Sequence, residues 1–160
     1  MNQDSRHAGN VLLLRGATLW LLMALFLAWC LVGTSFGMPF MTMIFKGFHR
    51  LLQAHIDFLL MSALIFGIYS AKVPLPWHVC WSMVIGAFTN SSMFLFMSIF
   101  PILFDAKAEN LAPEGVFPML FHFYLFASIS ITTYGFGMAA IIIFRSTFAT
   151  SQKNLLSEDL

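Results

Sequence analysis

Charge is scarce in this sequence: Asp, Glu, Lys and Arg supply 9% of its 160 residues, whereas soluble domains carry about 25%. A water-soluble domain of this length cannot hide a 59% share of hydrophobic residues in one core, so the surplus faces lipid. A net charge of +1 offers no basic surface, and no nucleic-acid partner is expected. Cysteine is scarce as well. Cys30 and Cys80 both fall inside apolar runs with no Cys-x-x-Cys spacing, which reads as packing and not as a metal or redox motif. Also missing are a phosphate-binding glycine loop, a Gly-x-Ser-x-Gly elbow, a His-Glu-x-x-His helix and a dinucleotide fingerprint. There is no internal repeat.

What is present is a set of long apolar runs. A bilayer core needs about 20 apolar residues per helix, and four runs meet that length. The first spans about 16–32, extending back to Val11 if Arg15 snorkels to the headgroups. It lacks an Ala-x-Ala cleavage site and three more runs follow it, so it reads as a span and not as a signal peptide. Gly33 to Pro39 interrupts the chain, and Phe40 to Phe45 reads as an interfacial or partly re-entrant piece. The remaining spans cover about 50–69, 77–100 and 116–144. A stiff turn at Lys72-Val73-Pro74-Leu75-Pro76 and a polar connector from Asp105 to Pro113 join them, and Ser146 onward reads as a polar tail. The expected fold is all-α, a single-domain transmembrane four-helix bundle over 1–160.

Short connectors allow orientation to be read from Lys and Arg. Arg6, Arg15, Lys72, Arg145 and Lys153 fall on one side, and Lys46, Arg50 and Lys107 on the other. Both termini are therefore expected in the cytoplasm.

Polar side chains inside the spans carry the functional signal, because hydrocarbon tolerates them only when they face the bundle, a cavity or a partner. They are His55 and Asp57 on the second span, Thr89 and Asn90 on the third, and His122, Ser130, Thr132, Thr133 and Tyr134 on the fourth. His55 and Ser62, seven apart, share one stripe, while His49, Gln53 and Asp57 share a roughly opposite one. On the fourth span His122, Ser130, Thr133 and Gly137 share a face. His55 and His122 lie at similar depths. Structural readings stand beside these: Asp57 paired with Arg50 or Lys46 near the interface, Asn90 and His122 as interhelical glue, and the hydroxyls bonding their own backbone. The functional reading of His55 is haem or metal ligation, since neutral imidazole ligates iron without a buried countercharge.

The run Leu52-Gln53-Ala54-His55-Ile56-Asp57, opening a span after a connector rich in Gly, Pro and Phe, resembles styrene oxide isomerase. It is also similar to the Ala-His-Leu-Glu opening of the hydroxylaminobenzene mutases. Ala87 to Phe96 resembles the isomerase's Trp-Ser-Asn stretch and the aromatics after it, and Ala112 to Phe117 its approach to the fourth span. The resemblance covers roughly residues 30 to 144. It implies a four-span haem-b protein, a homo-oligomer (a trimer in that family) with haem near subunit contacts. His55 is then the axial ligand and Asn90 a pocket residue. The implied reaction is Lewis-acid opening of an aryl epoxide to an aldehyde, on a small apolar substrate delivered through lipid. Departures occur at Asp57 and Met61-Ser62, where the isomerase carries Gly and Asn-Gly. Another is Phe94, which replaces a tyrosine; Tyr124 or Tyr134 is the candidate replacement for its hydroxyl. The expected catalytic residues are Asn90 and Tyr124, and the expected haem-binding residues are His55 and His122, with His55 on the metal. Two other readings stand beside this one: an electron-transfer subunit with His55 and His122 as paired haem ligands, and a non-catalytic bundle.

Overall fold

In a bilayer every backbone N–H and C=O must be satisfied within the chain, which leaves the helix as the spanning element for such a sequence. The computed structural model describes residues 4–103 and 115–158, and the side chains of 11–100, 102–103 and 115–148. Its elements are α1 (Asp4–Ser35), α2 (Pro39–Ile44), α3 (Phe48–Ser70), α4 (Trp77–Ile99), a 3-10 turn (Pro101–Leu103) and α5 (Val116–Glu158). No strand occurs among the described residues. Four helices are long and apolar enough to cross a membrane, over Val11–Ser35, Phe48–Ser70, Trp77–Ile99 and Val116–Phe148. The protein is thus a multi-pass, all-α four-helix bundle. The polar connector from Asp105 to Pro113, including Lys107, lies outside the described residues, as do Ala112, Pro113 and Glu114 of the run leading to α5.

Turn chemistry sets the boundaries. Beyond α1, Gly37 takes the left-handed conformation at φ +68°. The Met38 amide reaches back to the Gly33 carbonyl at 3.0 Å and Gly37 to Thr34 at 3.1 Å, the paired bonds with which a glycine closes a helix. Pro39 then opens α2 at the position where a missing N–H is harmless. That helix keeps Phe40 and Met43 exposed and leads to the buried Phe45. The Lys46 and Gly47 amides both donate to the Ser98 carbonyl, at 2.9 and 3.1 Å, which ties this segment to the far end of α4.

The polar segment beyond Ser146 continues α5 to Glu158. No glycine or proline occurs after Gly137, and the segment includes the helix formers Ala, Gln, Lys, Leu and Glu.

Helices α1, α3 and α4 pack against one another in all three pairings, whereas α5 packs chiefly on α4. One core cluster joins Leu13, Ala17, Ile65, Val79, Cys80, Met83 and Ala139 at the end that carries the chain termini. A second joins Ala24, Leu27, Cys30, Leu51 and Phe58. The two cysteines are buried and free in separate clusters, as the packing reading expects. Outward faces carry large apolar side chains such as Trp29 and Phe123, about three-quarters exposed, as a lipid-facing surface requires.

Small residues permit the α4–α5 approach. A Cβ on Gly135 would lie 2.7 Å from the Met83 nitrogen, and one on Gly86 would lie 2.8 Å from the Thr132 Cα. Ala139 is also buried there, but Gly137 and Ala140 face outward. The small residues of α5 are therefore split, half facing α4 and half facing away from the chain.

Candidate functional site

The polar side chains concentrate at one level of the bundle, and α4 organises them. Thr89-Asn90-Ser91-Ser92 places four polar residues in succession at about 100° intervals, so the run faces every side of its helix. On one side, Asn90 Nδ2 and Ser91 Oγ donate to Asp57 Oδ2 at 2.9 and 2.8 Å. On the opposite side, Tyr124 of α5 meets the Ser92 hydroxyl at 2.7 Å and the Thr89 carbonyl at 3.1 Å. Ser92 also donates to that carbonyl, at 3.1 Å. Two hydroxyl protons thus serve three contacts. Ser128 Oγ donates to Thr89 Oγ1 at 3.0 Å and extends the network along α5.

This arrangement differs from one structural reading of the sequence. Asp57 does not pair with Arg50 or Lys46. It lies seven residues beyond Arg50, about 10 Å along the helix, and its flank of α3 meets α4, while Arg50 Nη1 donates to Gln53 at 2.8 Å. Asn90 and Tyr124 make their contacts on different sides of α4. The contacts they make bisect to directions about 180° apart around α4.

The two histidines are separated as well. His55 Nδ1 donates to the Ala24 carbonyl of α1 at 2.8 Å. Ser62, on the same stripe, donates to Ala17 of α1 at 2.6 Å. His122 Nδ1 bonds instead to the Pro118 carbonyl of its own helix at 2.8 Å. Each histidine precedes by two residues a side chain bonded to the polar run of α4, so their depths are close. They face different elements, however, and α4 stands between the helices that carry them. One chain does not bring them together as paired ligands.

The bond from His55 has a chemical consequence. A carbonyl can only accept, so Nδ1 carries the proton and Nε2 keeps its lone pair. Nε2 has no partner among the described residues, and no buried side-chain nitrogen or oxygen among them lacks one. Nε2 therefore reaches the surface of the chain. Fixing one ring nitrogen on a carbonyl while the other is open is the arrangement of metal-ligating histidines. Among the described residues no three His, Cys, Asp or Glu side chains group as a metal cage, so an ion held through His55 would have to bring most of its ligands, as a porphyrin does.

No family model, curated protein or solved structure matches this chain. Its site must be read from its own geometry.

That geometry includes a cleft of about 230 Å³ between α4 and α5, lined by Phe96, Phe100, Leu103, Phe117, Leu120, Phe121 and Tyr124. Its walls are aromatic and apolar, with Tyr124 as the polar group. His55 and Asn90 lie outside it. Ser91, Ser92 and Ser128 were not singled out by sequence, because small hydroxyls in helices usually bond their own backbone. The signal available was the length of the polar run, since four consecutive residues must address more than one neighbour.

Asp57 is held by two donors from another helix, so removing one weakens α3 against α4. Asn90→Leu is expected to destabilise the bundle by about 2 kcal/mol, between the small average for intramembrane hydrogen bonds and the larger loss at a charged acceptor. Thermal unfolding in detergent reads it. Combined with Asp57→Leu, the loss should be less than the sum of the single changes, because the donor and acceptor leave together. Strict additivity would mean that the contact carries no energy.

Proposed function

We propose that this protein is a haem-b-dependent membrane isomerase acting on a small apolar substrate such as an aryl epoxide and giving an aldehyde. In this reading it works as a homo-oligomer with both termini in the cytoplasm. The observation that supports it best is His55, fixed on the Ala24 carbonyl with Nε2 open at the surface of the chain within the apolar belt. Residues 52 to 57 and the polar stretch of α4 carry the resemblance to styrene oxide isomerase, and His55 stands at the axial position of that comparison.

Haem iron in such a site supplies a Lewis acid for the epoxide oxygen. The chain's own residues do the rest. His55 binds and is oriented through Nδ1. Its flank of α3 also carries Leu52 and Leu59, which keep water from the imidazole. The bilayer concentrates an apolar substrate at the same depth. Because α4 separates His55 from the aromatic cleft of its own chain, a site using both takes His55 from one copy and the cleft from its neighbour, which is why the oligomer belongs to this reading.

The test is an absorption spectrum of the full chain, purified in mild detergent after expression with haem precursor. One Soret-absorbing haem per His55, high-spin when ferric and shifted by azide or imidazole, is expected. A low-spin spectrum refractory to both would favour paired histidines from two copies and an electron-transfer role. A colourless, folded protein would sink both haem readings.

A further inference from the structure

We infer that the seam between α1 and α4 is a binding groove for an anionic phospholipid, with the phosphate on Arg15 and an acyl chain along the apolar walls. The groove encloses about 350 Å³, and its walls include Leu19 and Trp20 of α1 and Trp81, Ile85 and Phe88 of α4, with Arg15 near one end. It is separate from the haem reading of His55, which faces the seam between α1 and α3.

Arg15 is the observation that identifies the occupant. It lies four residues inside the apolar stretch that begins at Val11, about 6 Å along the helix axis. It makes no hydrogen bond or ion pair among the described residues. The nearest acidic residue in sequence, Asp4, is eleven positions away, about 16 Å along the same helix. Asp57, the carboxylate inside the spans, is already held by Asn90 and Ser91. A guanidinium at this depth extends toward the headgroup level, where the anions are phosphates, and phosphate oxygens match its planar fork.

Direction along the helices is consistent with this. Side chains on α1 lean toward its N-terminus, so Arg15 leans toward the bilayer surface on the side of the chain termini. From there both walls descend together: Leu19 and Trp20 follow Arg15 inward on α1, and Ile85 and Phe88 follow Trp81 inward on α4. Trp77 and Trp81, in the first turns of α4, mark the headgroup level, where indoles collect. Trp20 does not fill the groove, because its Nε1 donates to the Val84 carbonyl at 3.1 Å and its ring stacks on Phe88 at 4.9 Å. Gly16 presses on the Val84 side chain and forms the floor. One end is cationic and polar and the rest is apolar, which is the pattern of a phospholipid.

The test uses the full chain with Trp29→Phe and Trp77→Phe, so that Trp20 and Trp81 report on the groove. It is reconstituted in vesicles containing phosphatidylcholine or phosphatidylglycerol brominated on the acyl chains. Quenching should show about fivefold tighter association of the brominated phosphatidylglycerol, the preference that one interfacial cation supplies. Arg15→Gln should bring that ratio to about one, with helix content unchanged by circular dichroism, and Arg15→Lys should retain most of it. Ile85→Phe, which narrows the groove and leaves Arg15 in place, should lower quenching by both lipids. Equal quenching by the two lipids with Arg15 present, or a preference that survives Arg15→Gln, would overturn the assignment. So would absence of quenching by either lipid, since another protein surface would then cover the seam.

Discussion

His55→Ala should give a colourless protein whose helical bundle is intact. The imidazole contributes one hydrogen bond to the fold, and the Ala24 carbonyl that receives it is inside α1, where the amide four residues on still satisfies it. The structural loss is therefore about 1 kcal/mol, too small to unfold the protein, whereas in the proposed haem site loss of the axial ligand would remove the pigment entirely. The Soret absorbance per chain and the helical circular dichroism, measured on the same preparation, separate the two effects. His55→Gly supplied with free imidazole should regain colour, because the small ligand can enter the space the side chain leaves. His122→Ala should keep its haem, since that ring is bonded to its own helix and does not share an element with His55. A full Soret band in His55→Ala would show that another group holds the iron and would remove the support for the isomerase reading.

The second large effect is steric and independent of any cofactor. Gly135→Ala should destabilise the bundle by about 2 kcal/mol, because the new methyl would meet the Met83 backbone nitrogen at 2.7 Å. Backbone cannot rotate aside as a flexible side chain can, so α5 must move away from α4. Gly86→Ala presses on the Thr132 backbone at 2.8 Å and should behave alike. Gly137→Ala is the control. It meets nothing within 4 Å, and gains up to about 1 kcal/mol from the better helix propensity of alanine. Thermal unfolding in detergent should therefore rank the native chain and Gly137→Ala together, well above Gly135→Ala. Equal midpoints for the two variants would mean that α4 and α5 do not approach as closely as the structure places them.

Most of the span positions were legible because lipid imposes a length. The runs beginning at Trp77 and Val116 start where the helices start, and the second span differs by a residue or two at each end. Gly33 to Pro39 was legible as a break because Gly37 adopts a conformation that favours glycine and Pro39 opens a new helix. Lateral arrangement was not legible. In a soluble bundle an apolar stripe marks the inward face, but here outward faces are as apolar as inward ones, so the sequence did not reveal which helix covers Asp57. An ion pair with Arg50 or Lys46 near the interface was one reading of it, and the neighbour across the seam proved to be Asn90 with Ser91. Depth fared better than direction. His55 and His122 do lie near one level, yet nothing in the order of residues announced that α4 would stand between them. The continuation of α5 past Ser146 was not legible for a related reason: polarity marks where a helix leaves the bilayer and not where it stops.

The attachment of α5 to α4 bears on how the chain is made. The last span leaves the ribosome after the other three have emerged and can bury one another. Until it arrives, the face of α4 that will receive it stands open to lipid. That face carries hydroxyls, but Thr89 donates to the Gly86 carbonyl and Ser92 to the Thr89 carbonyl, so each already has a partner in its own helix. The three-span intermediate can therefore wait in the bilayer without an orphaned polar group. Docking of α5 replaces lipid against Gly86 with protein and gives Ser92 and Thr89 second partners in Tyr124 and Ser128. Assembly of the bundle then ends with an exchange of neighbours and not with the rescue of an unstable face.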